Sequence, residues 1–234
     1  MYQNARKELH EIKYPFPSVQ KARTISYGGN QSWTRQKYVQ KSGCGLICSV
    51  DLLIYLHRYR KGCHTALFSG IGNLPSEVIP LEKYNFCVDF LRRKYFPIIP
   101  GHGMNGLMMV LGLNRYFRKY HIRLKASWCV SSKKLWQRME SMLDADLPVI
   151  FAVGSDFPFI WRKKKLTFYQ KKLHGGYMAA CETNAHFITV TGMDPEWVRI
   201  SSWGKEYYIN KKEYEKYVKK YSCSFLNNVV YLRE

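Results

Sequence analysis

The chain has 234 residues, 46% hydrophobic and 15% aromatic, enough apolar material for one sizeable core and too much for a compositionally disordered chain. Thirty-seven Lys and Arg stand against 17 Asp and Glu, a formal charge of +20, so the surface attracts anions: nucleic acid, anionic lipid or polymer, or acidic peptides. No apolar run approaches the roughly 18 residues needed to span a bilayer, which excludes a transmembrane helix.

Residues 1–43 are polar and basic, with Pro15, Pro17 and a Gly28-Gly29-Asn30 turn signal, and predict an arm of loops and short strands. The opening octet carries no apolar core of a secretory signal. At Cys44 the pattern changes. Leu46, Ile47, Val50, Leu53, Ile54 and Leu56 form a broad apolar face and predict a helix that Gly62 ends. Further helices are predicted over residues 82–95, closed by Pro97 and Pro100, and over 105–120. A fourth is predicted over 132–143, with Ser131 or Ser132 as its N-cap. From Pro148 the signals turn to strands, at 149–153, 187–191, 197–200 and, briefly, 207–209. A charged helix over 211–220 and a strand at 229–232 close the chain. Helices first and strands later predict an α+β fold of one domain. Its parts are an N-terminal arm (1–43), a helical lobe (44–146) and an antiparallel β-sheet lobe (147–234).

Two residues on separate elements draw attention. Cys44, in Ser42-Gly43-Cys44-Gly45, opens the first helix, where unpaired backbone N–H groups and the helix dipole favour a thiolate. His186, in Ala185-His186-Phe187, opens a buried strand. A thiol and an imidazole are the minimum parts of a cysteine nucleophile and its base. The flanking Gly43 and Gly45 permit the close backbone approach that an oxyanion hole needs. His102, in Gly101-His102-Gly103, is the competing histidine. Cys48 lies one turn beyond Cys44, but His57 and His64 do not complete a metal site at a convincing spacing, and no metal or other cofactor is called for. The seven cysteines (44, 48, 63, 87, 129, 181 and 223) are odd in number and without ligand spacing, and read as reduced thiols of a cytoplasmic protein.

These segments resemble the papain clan of cysteine peptidases, with the bacteriocin-leader-processing group and its uncharacterised bacterial relatives nearest. The order Cys, helical segment, His, strand end is that of the clan. The run Gly28-Gly29-Asn30-Gln31-Ser32-Trp33 followed by Ser42-Gly43-Cys44-Gly45 looks like one such uncharacterised group. Where papain-like enzymes carry Asn-Ser-Trp-Gly, this chain reads Ser201-Ser202-Trp203-Gly204. The resemblance implies a papain-like fold, Cys44 as nucleophile, His186 as base and acid, Ser201 as orienter of the imidazole, and Ser202 and Trp203 as support, Trp203 shielding that contact. It also implies a glutamine donating to the oxyanion, for which Gln31 and Gln40 are the candidates. Serine in place of the family's Asn weakens the expected dyad, because a hydroxyl stabilises an imidazolium less than an amide or carboxylate does.

The basic runs Arg162-Lys163-Lys164-Lys165 and Lys171-Lys172, interleaved with Trp161, Phe168 and Tyr169, precede His186; Lys211, Lys212, Lys216, Lys219 and Lys220 cluster on the late helix. They offer a surface for an anionic partner, with nucleic acid included although no nucleic-acid module is recognisable. The reading is a cysteine peptidase or related amide hydrolase acting on a peptide or protein substrate, acidic peptides among them. The alternatives are an acyltransferase using the same dyad and a scaffold without turnover that binds a polyanion.

Overall fold

The computed structural model of the chain describes residues 9–71, 77–128, 131–155, 157 and 164–234. The first part of the chain gives strands β1 (His10–Glu11), β2 (Val19–Lys21) and β3 (Thr24–Ile25), then helices α1 (Lys37–Ser42) and α2 (Cys44–Tyr59). Strand β4 (Ile79–Pro80), helices α3 (Leu81–Lys94) and α4 (Gly106–Lys119), strand β5 (Lys125–Trp128) and helix α5 (Leu135–Asp144) follow. The rest is sheet: β6 (Val149–Val153), β7 (Leu166–Lys171), β8 (Tyr177–Thr183), β9 (His186–Met193), β10 (Trp197–Ser202) and β11 (Lys205–Asn210), then α6 (Lys211–Tyr221) and β12 (Val229–Arg233).

The helix that Cys44 begins is buried from Gly45 to Arg58, and only a helix enclosed on every side tolerates apolar residues all round. It packs on β9 and β6 on one side and on α3 and α4 on the other. Its N-cap, Gly43, has no side chain to offer. The Gly43 N–H donates instead to the Val39 carbonyl, 2.8 Å away, and a Cβ there would lie 2.5 Å from that oxygen. The N-terminus of α2 is therefore fixed by the end of α1. In α4 the Asn105 side chain accepts the Met108 N–H; in α6 Asn210 accepts that of Glu213. The start of α5 departs from expectation. Residues Ser132–Lys134 form a single 3₁₀ turn, and Lys134 is the N-cap, without a side-chain cap bond of its own.

The main sheet has nine strands in the order β5-β12-β6-β9-β10-β11-β7-β8, with β1 also paired to β9. Its pairings are antiparallel, so the chain is a mixed α+β protein. Three segments read differently from their patterns. The arm has its short strands, but it also holds the helix α1, and it is tied to the main sheet: β1 pairs with β9, and Arg199 meets Glu11 at 2.9 Å. The segment read as a helical lobe supplies β5 to one sheet edge. The basic segment before His186 forms the β7–β8 hairpin at the other. Trp161, Arg162 and Lys163 of that segment, and Cys129, lie outside the described residues. No helix among the described residues is long and apolar enough to cross a membrane.

The two edges are finished differently. The outer backbone of β5 is capped by one side chain: Asn114 Nδ2 donates to the Ala126 carbonyl and Asn114 Oδ1 accepts the Ala126 N–H, both at 2.8 Å. The amide imitates a neighbouring strand. β8 has β7 on one side and, among the described residues, no strand on the other. Replacing Asn114 by Ala strands both groups of a buried residue, so Asn114→Ala is expected to lower stability by about 1–3 kcal/mol in urea unfolding. A loss well under about 0.5 kcal/mol would mean that water replaces the amide at this edge.

Candidate active site

Cys44, the first residue of α2, and His186, the first of β9, line one narrow cleft of about 10 Å³ together with Gln31, Asp51, Ser202 and Trp203. The strand reaches the helix directly: the Phe187 N–H donates to Cys44 Sγ at 3.5 Å. Burial is the largest influence on both groups. It pushes the Cys44 thiol up, against the N–H groups of Phe187, Gly45 and Cys44 itself, which pull it down. It pushes the His186 imidazole down to about 3. For both groups burial works against the charged form.

The orienting contact falls to Ser202, not Ser201. His186 Nε2 and the Ser202 hydroxyl are hydrogen-bonded at 2.8 Å, whereas the Ser201 hydroxyl donates to the Tyr27 carbonyl at 2.7 Å. A bulge explains the exchange. The β9–β10 ladder pairs Arg199 with Gly192 but Ile200 with Val190 and Ser201 with Thr189, so β9 holds one extra residue at that point. Continued one step, that register sets Ser202 opposite Ile188, on the His186 side of the ladder, and turns Ser201 to the other side. With Nε2 engaged, Nδ1 is the ring nitrogen left for the thiol. A hydroxyl both donates and accepts, so Ser202 admits either imidazole tautomer, and only one of them leaves Nδ1 as a base.

Trp203 lies flat on His186, ring centroids 4.4 Å apart and planes 19° apart. Trp203 and Gly204 are the two turn residues between β10 and β11, with φ +50° and +74°. A two-residue hairpin with positive φ at both positions suits the strand twist. Glycine takes it without strain; for Trp203 it costs on the order of 1 kcal/mol or more. Ala185, just before His186, also has a positive φ, +49°. Left-handed backbone thus sits immediately beside the imidazole in sequence and in space.

The opposite wall is the loop carrying Gln31. Tyr27 N–H donates to the Gly204 carbonyl at 3.0 Å, and Asn30 Nδ2 to the Trp203 carbonyl at 2.8 Å. From α2, Asp51 accepts the Gly29 N–H at 2.9 Å and the Tyr84 hydroxyl at 2.7 Å. No side chain fits at Gly29, where a Cβ would lie 1.8 Å from that hydroxyl oxygen. Of the two candidate glutamines, Gln31 lines the cleft and Gln40 does not. Gln31 Nε2 donates to the Gln40 carbonyl at 2.8 Å, while the Gln40 amide is spent on the Thr34 carbonyl at 2.7 Å. His102 lines a neighbouring hollow instead. Cys48 lines the cleft one turn below Cys44, and among the described residues no cluster of His, Cys, Asp or Glu is arranged to hold a metal ion.

Asp51 and Asn30 are the participants that the sequence reading passed over. Asp51 is the lone carboxylate in an otherwise apolar helix, seven positions after Cys44, and that isolation was its signal. Burial pushes its carboxyl up to about 7, against the Gly29 and Tyr84 hydrogen bonds. Asn30 reads as an ordinary turn residue. No protein-family model, curated protein or solved structure matches the chain.

Two outcomes follow from these charges. Unfolded Asp ionises near about 3.9, so between there and about 7 the folded state holds a proton that the unfolded chain has released, and stability falls as pH rises through that window. His186 acts oppositely: folded near about 3 and unfolded near about 6.5, it removes stability as pH falls. From pH 5 to 8 the wild type should lose about 2–3 kcal/mol relative to Asp51→Asn in urea unfolding; parallel curves would show an ordinary carboxylate. Alkylation of Cys44 by iodoacetamide should climb steadily toward and beyond pH 9. A fast plateau extending to about pH 5 would instead show a standing thiolate–imidazolium pair.

Proposed function

We propose that the chain is a papain-like cysteine hydrolase that cleaves peptide or related amide bonds through an acyl-enzyme. The observation that carries this reading is the meeting of Cys44 and His186 in one cleft, with Ser202 on Nε2 and the Trp203 indole over the ring. The central helix opened by a cysteine and packed on an antiparallel sheet supports the papain-like fold.

The chemistry begins from the neutral pair. Cys44 Sγ attacks the substrate carbonyl carbon as its proton passes to His186 Nδ1, and the carbonyl electron pair moves onto oxygen. The Cys44 N–H at the start of α2 and the second Nε2 hydrogen of Gln31 are the donors available to that oxyanion. As the carbonyl re-forms, the carbon–nitrogen bond breaks and His186 gives its proton to the leaving amine. Water, deprotonated by the same nitrogen, then releases the acid and restores the thiol. Ion-pair formation belongs to the transition state here, where Ser202 accepting from Nε2–H stabilises the imidazolium.

Beside the dyad lies an apolar hollow of about 360 Å³, whose lining includes Met104, Leu107, Trp128, Val153, Phe187 and Leu226 as well as His186. It supports a substrate with a bulky apolar group next to the scissile bond. The buried neutral pair and the serine orienter support a second reading, a scaffold of the same shape that binds without turnover.

Peptidyl acyloxymethyl ketones carrying Leu or Asp at the residue before the reactive group separate the two, read by intact mass. The expected outcome is one adduct, on Cys44, formed at least about tenfold faster with Leu, at least about 100-fold slower in His186→Ala and about tenfold slower in Ser202→Ala. Absence of the Cys44 adduct, or equal labelling in His186→Ala, would sink the hydrolase reading and leave the binding scaffold. Adding an amine to a cleaved substrate distinguishes acyl transfer from hydrolysis.

A further inference from the structure

The open edge of the main sheet is the feature that the dyad does not use. Among the described residues, β8 ends the strand order with β7 on one side only. Met178, Ala179, Ala180 and Glu182 on it are exposed, and Leu173 at the hairpin tip is 95% exposed. Natural sheets blunt such edges with charge, proline or a covering element, because unpaired N–H and C=O groups template another strand. This protein blunts the far edge, where Asn114 satisfies Ala126 of β5. On β8 the strand runs Tyr-Met-Ala-Ala-Cys-Glu-Thr, with one charge and no proline.

The charge around the edge selects the occupant. Between residues 164 and 183 the chain has four lysines (164, 165, 171 and 172) against one acid, Glu182, and all four lysines are exposed. A second copy of the hairpin would bring like charges together, on molecules of formal charge +20 each. The phosphate backbone of a nucleic acid meets the lysines but does not pair with the edge, since phosphate only accepts hydrogen bonds and the strand presents carbonyls as well as N–H groups. An extended peptide supplies both backbone partners, and acidic side chains supply the complement to the lysines.

We propose that β8 is a docking edge on which an extended acidic peptide segment adds as a further strand of the main sheet. The site is separate from the Cys44–His186 cleft, so it stands or falls independently of the hydrolase reading.

The test uses the full chain and a fluorescein-labelled octapeptide of alternating Glu and Val, read by anisotropy at about 50 mM salt, where screening is weak. Binding is expected. It should weaken at least about tenfold when alternate peptide nitrogens along one edge are methylated, which removes strand pairing and leaves charge unchanged. The triple change Lys165→Glu, Lys171→Glu, Lys172→Glu should weaken it by a similar factor, and alternating Lys and Val should not bind. Hydrogen exchange should slow at backbone amides of residues 178–183. No binding, binding indifferent to methylation, or protection that maps elsewhere would overturn the proposal. Indifference to methylation with preserved charge dependence would make the lysines a general polyanion surface, to which an oligonucleotide of similar charge binds as well. Because the methyl groups are on the peptide, a folding defect cannot mimic the result.

Discussion

The enclosure of α2 is the constraint on which the rest of this structure depends. A sixteen-residue helix without a polar face must be covered on every side, and sheet, α3 and α4 together provide that cover. Its sides are covered, so its chemistry gathers where its first two turns meet the cleft. Cys44 occupies the N-terminal end, where backbone N–H groups lack helical partners and where β9 begins. The one carboxylate on the helix, Asp51, faces the same cleft and ties down the loop that carries Gln31. Core packing and site assembly are here the same event: moving the helix moves thiol, loop and glutamine together.

Enclosure also sets the electrostatics. Taking a thiol and an imidazole out of water disfavours both charged forms, and the N–H groups around Cys44 Sγ offset only part of that cost. An ionised carboxylate in the orienter's place would only accept from Nε2–H and so select one tautomer. The hydroxyl of Ser202 selects none. Trp203 compensates in a different way, by holding the ring flat and excluding water through a strained turn. The site is thus stiff in geometry and permissive in protonation.

Much of this was legible in the residues, and the failures have physical causes. The helix from Cys44, the strand from His186 and the final strand all announced themselves by nearly continuous apolar runs, because their burial is nearly uniform. The β7–β8 hairpin did not, since lysines at both ends and exposed alanines leave little alternation to read. Spacing from Cys44 does not decide between Gln31, which is far from it, and Gln40, which is close; what separates them is that α1 points the Gln40 side chain back to Thr34. Asp51 carries no motif of its own, because the loop glycine whose N–H it accepts lies far away in sequence. Ser201 stands where the papain-like motif has Asn, and matching one motif to another does not see the extra residue of β9 that brings Ser202 to the imidazole instead.

That ladder has a wider consequence. The extra residue of β9 acts on β10 as a shifted reading frame acts on a message: everything after it is displayed on the other face. Two adjacent serines hide this, because exchanging them changes no atom type. If an amide were introduced to strengthen the dyad, position 201 would deliver it to the Tyr27 carbonyl and position 202 to the imidazole. A single deletion within the bulge would reverse the two. The route by which such a site gains or loses strength therefore runs through backbone insertions as much as through side-chain replacement.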